Sequence, residues 1–121
     1  DSFLLLQSGR ADAFVMDVSI LAANIARAQN PSNFKILSEV LSVEPIAIMI
    51  RKDDPEFKKA VDESIVEQIK SGAIAKLYDK WFMQPIPPNN VSLNMPASEA
   101  TKEAWANPND KPTEEYKQPG Q

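Results

Sequence analysis

Neither cysteine nor histidine occurs among the 121 residues. Without cysteine there is no disulfide, no thiolate nucleophile and no sulfur ligand for a metal. Without histidine as well, a zinc site or a Ser-His or Cys-His catalytic pair cannot be assembled from this chain. The lack of cysteine fits many compartments, so it leaves the redox environment open. Positive charge is in deficit: 13 Lys and Arg against 17 Asp and Glu give a net charge of −4. A phosphate backbone is repelled overall, and no basic stripe or aromatic-basic interleaving offsets this, so nucleic acid is excluded as a partner. Long apolar runs are missing too, because Phe3 to Leu6 is far too short to span a bilayer. No cofactor motif is present.

What remains is the material of one ordinary domain, with 43% hydrophobic residues, enough to build a core. The chain opens at Asp1 with no initiator methionine and no basic-then-apolar leader, which reads as a processed chain or an excised piece. Residues 2–8 carry Phe3, Leu4, Leu5 and Leu6, with Gly9 where a left-handed helix end wants it, and predict a short helix. Ala11 to Met16 reads as a mostly buried strand. After Asp17, the spacing of Ile20, Leu21, Asn24, Ile25 and Ala28 predicts a helix to about Gln29, and Asn30-Pro31-Ser32-Asn33 a turn. Phe34 to Leu37 is a second strand candidate. Pro45 to Ile50 is a stronger one, apolar on both faces and therefore suited to the inside of a sheet.

Asp54-Pro55 supplies a cap and a first-turn proline, followed by an apolar stripe of Phe57, Ala60, Val61, Ile65 and Ile69 that stops at Ser71-Gly72. A further helix carries Ile74, Leu77, Tyr78 and Trp81. Seven of the ten prolines then lie between Pro85 and Pro119, which prevents long regular structure there. One short helix is expected from Ser98 to Ala106, with Ala97, Thr101 and Trp105 on one side. Beyond Asn107 only Tyr116 is strongly apolar, so 107–121 reads as a disordered tail. The alternation of strand and helix predicts an α/β layer structure with a partly parallel sheet. Three strands make a thin sheet, which points to a fold continued elsewhere.

Asp17 ends a buried-looking run just ahead of a helix, at the carboxyl end of a strand where α/β proteins collect ligands. A carboxylate there commonly caps the helix, contributing roughly 1 kcal/mol. It can also hold an ammonium group in a partly dry cleft, and both roles can coexist. Ser19 is read first as a helix residue and second as a ligand hydroxyl. Arg10 and Arg51 are read as solvated rather than carboxylate-binding. Asp53, Asp54 and Glu56 look like a carboxylate cluster, but Asp54 has the cap position and Lys52, Lys58 and Lys59 lie close, so no metal site is assigned. Glu63, Glu67 and Lys70 read as a solvated face. Trp81-Phe82 is read as core in preference to a sugar- or base-stacking surface.

The ordered set SGRADAFVMD (residues 8–17), EPIAIMIRKDDPEFKKAVDESIVEQIKSGAIAKLYDKWF (44–82) and PIPPNNVSLNM (85–95) resembles the C-terminal portion of periplasmic amino-acid-binding proteins of ABC importers, solute-binding protein family 3, glutamate/aspartate-binding type. The resemblance covers about residues 3 to 110. It implies part of a two-lobed type II periplasmic-binding-protein fold that closes on its ligand by a hinge. Residues 1–43 would belong to the second lobe and 44–52 to a crossing strand. The helices of 53–84 would pack on the first lobe, 85–106 would wrap as a proline-rich tail with a short helix, and 107–121 would trail. By the same resemblance Asp17 matches the aspartate that holds the ligand's α-amino group. The groups that grip the α-carboxylate and select the side chain have no counterpart here and belong to a missing N-terminal lobe. The implied protein is no enzyme. It is a periplasmic carrier of an L-amino acid, glutamate or aspartate, that delivers to a membrane permease. A dehydratase on the same scaffold and the sensing domain of a receptor are the alternatives.

Overall fold

The first helix, α1 (Ser2–Gln7), ends where the sequence supplies Gly9, whose φ is +71°. The Gly9 N–H donates to the Leu6 carbonyl at 3.1 Å and the Arg10 N–H to the Leu5 carbonyl at 2.9 Å, so two carbonyls that the helix cannot pair are closed by the turn. No atom lies within 4 Å of a Cβ placed on Gly9; the demand for glycine is one of backbone angle alone. The computed structural model describes residues 2–116. They fall into two units, Asp1–Ile36 with Lys80–Pro96, and Leu37–Asp79 with Ala97–Gln121.

In the first unit, α1 is followed by α2 (Val18–Ala26) and a 3-10 turn at Pro31–Asn33, where proline occupies the first position. Phe3 brings these pieces together. Its ring lies 6.4 Å from Phe14 and 5.1 Å from Phe34, both tilted, at separations that suit aromatic pairs. Ala22, on α2, is the one buried apolar residue among the described residues. Ile86 and Val91 form an antiparallel bridge, and nearby the Ser92 hydroxyl donates to the Met83 carbonyl at 2.9 Å and the Met95 N–H to the Phe82 carbonyl at 3.1 Å.

The second unit is a helical hairpin with an added third helix. Asp54 caps α3 (Pro55–Lys70) by accepting from the Phe57 N–H at 3.1 Å, Pro55 opens it, Glu56 sits in its first turn and Lys70 in its last, each where the helix dipole favours it. Ser71 and left-handed Gly72, φ +76°, turn the chain into α4 (Ala73–Tyr78), which packs on α3. Ser98 caps α5 (Glu99–Ala106) by accepting from the Thr101 N–H at 3.1 Å.

The expected sheet does not form among the described residues. Ala11–Met16, Phe34–Leu37 and Pro45–Ile50 have no strand assignment, and the Ile86–Val91 bridge stands alone. The reason is physical: a strand exists only through a partner's hydrogen bonds, and these segments find no ladder partner among the described residues. Ile46 is fully exposed at 102% and Met49 nearly so at 97%, the opposite of a sheet interior. Two helix ends also differ. α2 stops at Ala26 rather than Gln29, with the Ala28 N–H turning back to Ile25 at 3.0 Å. The helix expected through Trp81 gives way after Tyr78 to a wider π turn, Asp79–Met83. In the segment read as a disordered tail, Thr113–Glu115 forms a 3-10 turn, and the Tyr116 hydroxyl donates to Asn109 at 3.0 Å. The same expectation for residues 117–121 lies outside the described residues.

Candidate functional site

Asp17 takes the N-cap position of α2 with φ −52° and ψ 136°, and its carbonyl accepts the Leu21 N–H at 2.9 Å, the first bond of the helix. Its side chain does not complete the cap. The carboxylate makes no capping hydrogen bond and is exposed, beside the first-turn N–H groups of α2, where the positive end of the helix dipole favours negative charge. The cap expected of Asp17 is therefore positional only. Asp54 holds the same position on α3 and does bond its helix, so the difference lies in side-chain orientation rather than residue type.

Around Asp17 the first turn of α2 is open. Val18 and Ile20 are exposed, Ser19 is half-buried, and Asn24 one turn on donates its amide to the Ile20 carbonyl at 2.9 Å. Arg10 is engaged locally: its Nε donates to the Ser8 hydroxyl at 3.2 Å, and that hydroxyl donates to the Leu5 carbonyl at 3.1 Å. Arg51 is exposed. An exposed carboxylate held by backbone on both sides can accept charge-assisted bonds from an ammonium group.

Asp53, Asp54 and Glu56 do not converge. Asp53 is in the left-handed region with φ +64°, Asp54 is occupied by its cap, and among the described residues no group of three acidic side chains is placed to hold a metal ion. Glu63 pairs with Lys59 at 3.7 Å, while the anticipated approach of Glu67 to Lys70 gives no ion pair among the described residues. Trp81, read as core, is 46% exposed, and the Lys80 ammonium lies 5.1 Å from its ring centre, a cation–π contact on the ring face.

Two long-range contacts, Lys58–Asp110 and Tyr78–Trp105, were not legible in the sequence. Lys58 reaches both Asp62, one turn on, at 2.6 Å and Asp110, far along the chain, at 2.8 Å. Tyr78 and Trp105 meet edge to face at 5.5 Å and 76°. Partial burial raises the Tyr78 hydroxyl above its ordinary pKa. The helical spacing of Lys58 and Asp62 was a readable signal. Nothing local marked the contact with Asp110.

Among the described residues no helix is long and apolar enough to cross a membrane. Three curated relatives match nearly the whole chain. The glutamate/aspartate import solute-binding protein of Escherichia coli (strain K12) is 46% identical over 111 residues, 92% of this chain and 37% of that protein. The protein of the same description from Salmonella typhimurium matches to the same extent. The L-glutamate/L-aspartate-binding protein of Pseudomonas aeruginosa is 44% identical over 115 residues, 95% of this chain and 38% of that protein. This chain thus spans less than two fifths of the length of these relatives, all of them described as binding proteins rather than enzymes. Residues 2–84 match the family of bacterial extracellular solute-binding proteins, family 3, and the chain belongs to that family.

Proposed function

We propose that this chain is the C-terminal part of a solute-binding component of an ABC amino-acid importer. The complete protein captures an acidic L-amino acid, glutamate or aspartate, in the periplasm and hands it to a membrane permease, with no catalytic step. The observation that carries the reading is the Asp17 carboxylate, exposed at the head of α2 and not used to cap it. The identity with glutamate/aspartate import proteins supports the ligand class.

In this reading the complete fold is a two-lobed α/β structure. Residues 1–43 belong to the second lobe, 44–52 form a crossing strand, the helices of 53–84 pack on the first lobe, and 85–106 form a proline-rich wrapping tail with a short helix. The segments Ala11–Met16 and Pro45–Ile50 then complete their ladders with strands from the upstream part. Asp17 receives the ligand's α-amino group. The ligand carboxylates are gripped by residues upstream of this chain, so closure joins two half-sites and the permease distinguishes the closed from the open form.

The test is Asp17→Asn in the full-length protein, with glutamate binding followed by titration calorimetry. Affinity is expected to fall by roughly 2 to 5 kcal/mol, the loss typical of one partner of a desolvated, hydrogen-bonded charge pair. An affinity equal to that of the wild type removes Asp17 from the site.

A further inference from the structure

Within the second unit, the stretch after Ala97 touches the helical hairpin at two separate points. Trp105, on the half-buried side of α5, meets the edge of Tyr78 at the end of α4. Five residues later, Asp110 pairs with Lys58 in the first turn of α3 at 2.8 Å. Between and beyond these points the chain is tied to itself. Asn109 donates to the Asn107 carbonyl at 2.9 Å and accepts from the Lys111 N–H at 3.1 Å and the Tyr116 hydroxyl at 3.0 Å. That local knot fixes the loop from which Asp110 projects.

We propose that residues 97–116 form a two-point strap, with an aromatic anchor at Trp105–Tyr78 and an ionic anchor at Asp110–Lys58, that holds α3 and α4 together. Neither anchor suffices alone: the ionic pair is exposed, and such pairs are individually weak. Coupling through a short, self-bonded loop is what makes them act together. α5 has eight residues, too few for a helix to persist in water without docking, so its survival reports the strap. The family match ends at residue 84, yet the 111 matched residues of the Escherichia coli relative cannot fit within 84, so the match runs into the strap. The strap does not depend on the ligand proposed above.

The experiment uses the full-length protein and a carbodiimide, which joins an amine to a carboxylate only when the two already touch, read by peptide mass mapping. A cross-link between Lys58 and Asp110 is expected, lost in D110N and retained in D62N. Hydrogen exchange supplies the second readout: D110N and W105A are each expected to speed exchange of α5 amides several-fold. Cross-links from Lys58 confined to Asp62, or α5 exchange in D110N equal to the wild type, overturn the strap. Glutamate affinity is expected to be unchanged in D110N, so a failed strap and a failed ligand assignment give different results.

Discussion

Asp17 and Asp54 stand at the same place relative to their helices and use their carboxylates differently. Asp54 accepts the Phe57 N–H, whereas the side chain of Asp17 bonds nothing in α2. The two should therefore respond unequally to truncation. Asp54→Ala in the full-length protein is expected to cost about 1 kcal/mol of stability through loss of a helix cap, and Asp17→Ala well under that, since only a charge–dipole interaction is removed. Urea denaturation measures both. A loss for Asp17→Ala as large as that for Asp54→Ala means that its carboxylate does cap α2. Spacing places both residues at helix starts but carries no information about a rotamer, so the cap is legible at Asp17 as a position and not as a side-chain bond.

At the scale of elements, what was readable was local. Gly9 and Gly72 mark helix ends, Asp54-Pro55 and Ser98 mark helix starts, and α1, α3 and α5 follow. These signals work because a helix satisfies its backbone within itself. The same kind of pattern predicts strands at Ala11–Met16 and Pro45–Ile50, but a strand's bonds come from elsewhere in the chain, and pattern alone cannot supply them. The strap was illegible for a related reason, since Lys58 and Asp110 lie far apart in sequence. Its ionic anchor has a defined pH window. Lys58 holds the Asp110 carboxyl below its ordinary pKa, so the pairing helps the folded form above the carboxylate range and is lost as the pH falls through that lowered value. Asp110, with Asp62, raises Lys58 above the usual lysine value, so on the alkaline side the pairing is lost only above that range. The contact is thus constant between about pH 4 and pH 10. An NMR titration of the Asp110 carboxyl carbon is expected to give a midpoint below that of an ordinary aspartate. Lys58→Gln, which removes the hydrogen-bonded cation, should move it back up. A midpoint unmoved by Lys58→Gln contradicts the pairing.

At the scale of the molecule, residues 37–50 leave apolar surface uncovered in this chain. Leu37, Val40, Leu41, Ile46, Ile48 and Met49 are all exposed, in a stretch with no helix to occupy its backbone. Prepared alone, the 121-residue chain is expected to self-associate with rising concentration in light scattering and to bind glutamate weakly, as it carries only part of the proposed site. A monodisperse monomer with tight, stoichiometric binding contradicts both. The pairing of α3 with α4 has another consequence, one of timing. Its contacts join residues close in sequence across the Ser71–Gly72 turn, so the hairpin collapses early in refolding, within the microseconds to milliseconds of local helical structure. In the proposed two-lobed fold, the crossing segment 44–52 pairs only once a distant stretch has diffused into place. On that proposed fold, circular dichroism during refolding of the full-length protein is expected to recover its helical signal in a first burst and its strand signal in a later, slower phase.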